Sequence, residues 1–186
     1  MNEADRFQNI KFTDCNRWGL KMKFWFDTEF LEDGKTIELI SIGVVAEDGR
    51  TYYAETPDAY SLCAESAWLK ANVLSHLTGM SQPSITRPRV QIAREIIEFV
   101  GEKPEFWAYY CSYDWVALCQ LYGRMIDLPK GWPMFCRDVK QLCVDLGNPK
   151  LPEQEGQEHN ALADALWTKQ AWEFLKEHSV AELPEV

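Results

Sequence analysis

Residues 22–55 read MKFWFDTEFLEDGKTIELISIGVVAEDGRTYYAE, and their pattern decides the fold. Lys23 to Asp27 is a short apolar strand, and Thr36 to Ala46 is a longer one rich in β-branched residues. Glu47-Asp48-Gly49-Arg50 carries the Asp-Gly hairpin signal, and Thr51 to Glu55 is the returning strand. Three strands joined by short links predict an antiparallel meander. The same stretch sets Asp27 and Glu29 two residues apart, on one face of the first strand. Neighbouring carboxylates repel unless a positive charge sits between them.

Working outward, the pattern changes from strands to helices. Ser61 to Leu77 has helical spacing, with Ala67, Leu69, Val73, Leu74 and Leu77 as core positions, and Gly79 to Pro88 is a loop. Val90 to Val100 is a second amphipathic helix bearing Ile92, Ile96, Ile97 and Val100. An aromatic strand, Glu105 to Cys111, gives way at Asp114 to a helix over Trp115 to Arg124. A brief strand, Met134 to Cys136, precedes a helix over Asp138 to Leu146, and Asn160 to Lys176 is the last helix. This order predicts one α/β domain with a mixed sheet. The reading divides the chain into an extension at 1–21, a domain at 22–178 and a tail at 179–186. The polar extension is either a loosely attached arm or a start read too early, with Met22 as the natural start.

The chain has 186 residues, 46% hydrophobic and 26% charged, enough for a single substantial core. No apolar run reaches the length of a membrane span, and no signal peptide opens the sequence. Six cysteines without a C-x-x-C pair argue against a zinc site or a disulfide framework, so reduced thiols and a cytoplasmic location are expected. A net charge of −10 argues against a broad basic face for duplex DNA. It leaves room for a small nucleic-acid cleft whose field is altered by bound cations.

Two later segments join Asp27 and Glu29. Asp114 lies where an aromatic strand passes into a helix, a common site position in open α/β sheets. His159 stands five residues before Asp164, about 140° apart if both were on one helix. They converge only if His159 is on the loop and Asp164 in the first turns of the helix. Asp164 is surrounded by Ala161, Leu162, Ala163, Ala165 and Leu166, and a buried acid needs a partner or a metal. Each piece alone has a plain reading: a solvated strand end, an N-cap, a loop histidine, a salt bridge to a neighbouring helix. As an ordered set, carboxylate oxygens without thiolates favour Mg²⁺ or Mn²⁺ over zinc. Four acids exceed what one magnesium ion usually takes, which points to two ions roughly 3.5–4 Å apart clamping a phosphodiester.

Asp27-Thr28-Glu29, Asp114 and the His159-to-Asp164 spacing resemble the DEDDh 3′–5′ exonuclease superfamily. Within it, Met22 to Asp48 and Tyr113 to Leu121 are similar to the mycobacterial polyadenylate-specific 3′-exoribonuclease AS family. The resemblance spans Met22 to Lys176 and departs from the general pattern before the middle acid, where Tyr110 replaces a frequent asparagine. It implies a ribonuclease-H-like fold with a mixed five-stranded sheet, three antiparallel strands followed by parallel ones, flanked by helices. It also implies Mg²⁺, two per site with Mn²⁺ able to substitute, and release of nucleoside 5′-monophosphates from single-stranded, adenylate-containing RNA 3′ ends. Asp27, Glu29 and Asp164 would hold one ion and Asp27 with Asp114 the other, with His159 the general base. A homodimer is implied as well, and no membrane partner.

For the substrate, Thr28 and Phe30 flank the acids, and Glu38 interrupts an apolar strand. Glu38 either accepts a hydrogen bond from the adenine amino group or faces solvent by simple alternation. Trp115, beside Asp114, is the candidate for stacking on a base, while Trp167 and Trp172 read as core. Arg87, Arg89 and Arg94 form either a basic strip for phosphates or a solvated helix face. Two rival functions share the pattern: a 3′–5′ exodeoxyribonuclease of proofreading type, and a non-catalytic nucleic-acid-binding module.

Overall fold

A computed structural model describes residues 21–155 and 158–181. The sequence-predicted extension at 1–21, apart from Lys21, and most of the tail at 179–186 lie outside the described residues. Strands β1 (Lys23–Glu32), β2 (Ile37–Ala46) and β3 (Thr51–Glu55) form the antiparallel meander. Strand β4 (Glu105–Ala108) pairs parallel to β1 on its other side, and β5 (Arg137–Asp138) pairs parallel to β4. The order β3-β2-β1-β4-β5 is the mixed five-stranded sheet expected of a ribonuclease-H-like fold. No helix among the described residues is long and apolar enough to cross a membrane.

Alternation along β1 assigns its residues to two layers. Phe24 and Phe26 pack with Ile92, Ile96 and Ile97 of α3 (Arg89–Val100) and Leu118 of α4 (Ser112–Gln120). Trp25 points the other way, onto Val139 and Cys143 of α5 (Val139–Asp145) and Ala171 and Leu175 of α6 (Ala161–Ala181). Asp27 and Glu29 therefore share the α6 face with Trp25. A smaller cluster joins Ile40 to α1 (Ala59–Glu65) and α2 (Ala67–Asn72).

Several boundaries differ from the sequence reading. β1 continues past Asp27 to Glu32, because the ladder pairs backbone and is indifferent to side-chain charge. A register shift between Glu29 and Phe30 leaves Ile40 as the extra residue on β2. The single helix predicted for 61–77 divides at Ser66, which is extended (φ −121°, ψ 131°) and whose hydroxyl caps α2 through the Leu69 N–H. β4 stops at Ala108, and Tyr110 turns the chain with a left-handed φ of 57°. The short fifth strand is Arg137–Asp138 rather than Met134 to Cys136, and Met134 and Phe135 are exposed. Asp114 lies in the first turn of α4 instead of at its cap.

Candidate active site

Asp27 and Gly43 face each other across β1 and β2. A Cβ at position 43 would collide with the Ala161 carbonyl and the Leu162 backbone. The missing side chain lets the first turn of α6 lie directly on β2, beside Asp27 and Glu29. Asp164 arrives on that turn. His159 adopts a left-handed φ of 64°, and its backbone N–H donates to Asp164 Oδ2 at 3.0 Å. That turn closes the five-residue spacing a continuous helix could not. One ligand atom each from Glu29, His159 and Asp164 lies within 4.8 Å of the others. Gln154 Nε2 donates to the other carboxylate oxygen of Asp164, fixing its plane.

Asp114 reaches the cluster from the opposite layer. Its Oδ1 accepts from the Thr28 backbone N–H at 2.9 Å and from the Thr28 hydroxyl at 2.6 Å. Thr28 is buried. Both of its donors thus hold Asp114. Phe30 lies half-buried, its ring edge-on to Tyr113 at 5.7 Å.

The remaining predicted contacts are dispersed. Glu38 is exposed and pairs with Arg89 Nη2 at 3.5 Å. It sits three residues along β2 from Ser41, the partner of Glu29, hence about 10 Å of strand away. Trp115 is a correction: it is buried in the main core, 5.7 Å from the Phe106 ring, because its position on α4 faces the sheet. It has no open ring face for a base. Arg87 and Arg89 are engaged by Glu95 and by Glu38 and Asp58, so they form no open basic strip.

Burial raises all four carboxyls of the cluster, and repulsion from neighbouring acids adds to it. Burial raises the Asp27 carboxyl well above its ordinary range, and Asp114, Glu29 and Asp164 raise it further. Burial, with Asp164 and Asp114, pushes Glu29 up to about 8. Asp114 is pushed by burial to about 6 against the lowering effect of the Thr28 hydrogen bonds. Burial also raises Asp164, opposed by Gln154 and the His159 N–H. Among the described residues, no ion pair joins any of these four acids to a lysine or arginine. Oxygen donors held close together, repelling one another and lacking a lysine or arginine partner, fit a hard divalent cation.

Three supporting residues escaped the sequence reading. Gly43 had a signal, an isolated glycine within an apolar strand, which marks close backbone approach. Gln154 lies in a loop without pattern. Trp68 of α2, whose ring stands 4.9 Å from that of His159 at 76°, sits among helical core positions and had none.

A mixed sheet with these four acids and a histidine gathered beside its central strand defines the DEDDh class of 3′–5′ exonucleases. A family model, the 3′-5′ exoribonuclease Rv2179c-like domain, matches residues 22–176. The chain belongs to that family. It is 44% identical over 148 residues to 3′-5′ exoribonuclease Rv2179c of Mycobacterium tuberculosis strain H37Rv, covering 77% of this chain and 87% of the relative. The 3′-5′ exoribonuclease MT2234.1 of strain CDC 1551 gives the same figures, 44% over 148 residues. The solved structure of S. pombe Pop2p, in its Mg²⁺- and Mn²⁺-bound form, aligns with a TM-score of 0.48 and 15% identity. That alignment covers 84% of this chain and 82% of the Pop2p chain.

Proposed function

We propose that this enzyme hydrolyses single-stranded, adenylate-containing RNA from the 3′ end, releasing nucleoside 5′-monophosphates with two divalent cations, Mg²⁺ or Mn²⁺. The observation that carries the reading is the approach of Glu29, His159 and Asp164 to within 4.8 Å, with Asp27 beside them raised by burial and by Asp114, Glu29 and Asp164. Asp27, Glu29 and Asp164 would hold one cation, and Asp27 with Asp114 the second. When bound, the cations supply positive charge at the phosphate and ease ionisation of water.

The chain's own residues organise the rest. His159, whose turn is held against Asp164 by its backbone N–H, would take the proton of the attacking water. The water oxygen bonds to phosphorus, the P–O3′ bond to the upstream ribose breaks, and the leaving O3′ takes a proton from solvent to become the new 3′-hydroxyl. Thr28 keeps Asp114 in register with β1, and Gln154 keeps Asp164 from rotating. The adenylate preference rests on the sequence resemblance and is assigned to Glu38. The enzyme acts in the cytoplasm as a homodimer in this reading. Digestion of end-labelled RNA and DNA oligomers, with and without EDTA, tests it. The expected result is 5′-monophosphates from RNA only when a divalent cation is present. Equal cleavage of DNA, or cleavage in EDTA, would refute it.

A further inference from the structure

We infer that Ser41 is a positioning residue for Glu29, its hydroxyl donating to the carboxylate oxygen that Glu29 turns away from the cation. The inference rests on the cation-site reading above. Strand register sets the two residues side by side. Glu29 on β1 pairs with Ser41 on β2, and Ser41 pairs in turn with Glu55 on β3. Directly opposed residues of antiparallel strands point to the same face, with their Cβ atoms about 4.5–5.5 Å apart. The row Glu29, Ser41, Glu55 therefore runs across the sheet from the acidic cluster. All three are buried, at 7%, 1% and 0% exposure.

Glu55 needs nothing from Ser41. Its carboxylate accepts from the Tyr53 hydroxyl at 3.0 Å, the Thr78 N–H at 2.8 Å and the Gly79 N–H at 2.9 Å. The Ser41 hydroxyl approaches the Tyr53 phenol, whose own proton goes to Glu55. Among the described residues, however, it closes no hydrogen bond of ordinary geometry. A buried hydroxyl without a partner weakens a fold, so packing does not explain a serine here; alanine would fill the position without that loss. The other acids of the cluster show what such a donor does. Thr28 holds Asp114, while Gln154 and the His159 N–H hold Asp164. Ser41 stands in the same relation to Glu29. A carboxylate that ligates a cation through one oxygen keeps lone pairs on the other, and a donor there fixes its plane.

The test compares wild type with Ser41→Ala in three measurements. In EDTA, the denaturant midpoint of Ser41→Ala should equal or exceed that of wild type, because only an unpaired hydroxyl is removed. Isothermal titration with Mn²⁺ should show the variant binding about 10- to 100-fold more weakly, the usual effect of losing a group that orients a metal ligand. In cleavage of an oligoadenylate, the Mn²⁺ concentration giving half the maximal rate should rise by a similar factor. The rate at saturating Mn²⁺ should stay within a few-fold of wild type. A merely structural serine would instead lower the midpoint in EDTA, and that result overturns the inference. Mn²⁺ affinity unchanged by the substitution overturns it too, while leaving the cation site standing. Absence of Mn²⁺ binding by the wild type would refute the cation-site reading and this inference with it.

Discussion

Replacing Glu29 with glutamine separates the two demands placed on the acidic cluster. Glu29 is 7% exposed, and its carboxyl is pushed from 4.5 to about 8 by burial, Asp164 and Asp114. Its folded pKa exceeds the unfolded value, so the folded chain holds the extra proton between those two pH values. Stability from this group is fully present below pH 4.5 and is lost as pH rises through about 8. At about 1.4 kcal/mol per pH unit, the loss in metal-free protein is on the order of 5 kcal/mol. An amide of the same shape cannot ionise and escapes it. Denaturant unfolding in EDTA at pH 5 and pH 8 should show wild type losing stability and Glu29→Gln losing much less. A divalent cation at a hundred times its Kd returns about 2.7 kcal/mol to whichever protein binds it. Wild type should gain that increment and the variant little of it, so added Mn²⁺ at pH 8 should close about half of the gap between them. Parallel pH slopes in EDTA would show that Glu29 is not held under repulsion, and the reasoning would fail.

Other perturbations probe single links. His159→Ala should lose about 100- to 10,000-fold in turnover while isothermal titration shows Mn²⁺ binding retained; wild-type rates would remove the general base. Gly43→Ala should destabilise the chain by about 1–3 kcal/mol and abolish most cleavage even well below its Tm, since α6 must move away from β1. An active, equally stable variant would show that the close approach is dispensable. Glu38→Ala should reduce the preference for adenylate over uridylate oligomers, and an unchanged ratio would return Glu38 to the plain role of pairing with Arg89.

The meander was readable because its strands carry strong local signals, the apolar runs and the Asp-Gly turn. Its neighbours were less so. Nothing local in Ser61 to Leu77 announces that Ser66 will cap a new helix instead of continuing the old one. The fifth strand was misplaced because two residues of parallel pairing leave no period to detect. For the site, Asp27, Glu29, Asp114, His159 and Asp164 stood out by chemistry and spacing. Trp115 misled, since adjacency to Asp114 in sequence says nothing about which way a helical ring points. That the Thr28 donors hold Asp114 could not be read, since it is a contact between residues far apart in the chain. Trp68 and Gln154 depend wholly on tertiary approach, which no short window contains.

The meeting of Gly43 with the start of the last helix also bears on how the enzyme is born. Synthesis runs from the amino end, so the first strand and its acids leave the ribosome long before Asp164. Until that helix seats on the bare backbone at Gly43, Asp164 cannot join Asp27 and Glu29. In the proposed reading, the chain has no complete cation site, and so no cleavage, before that helix is made.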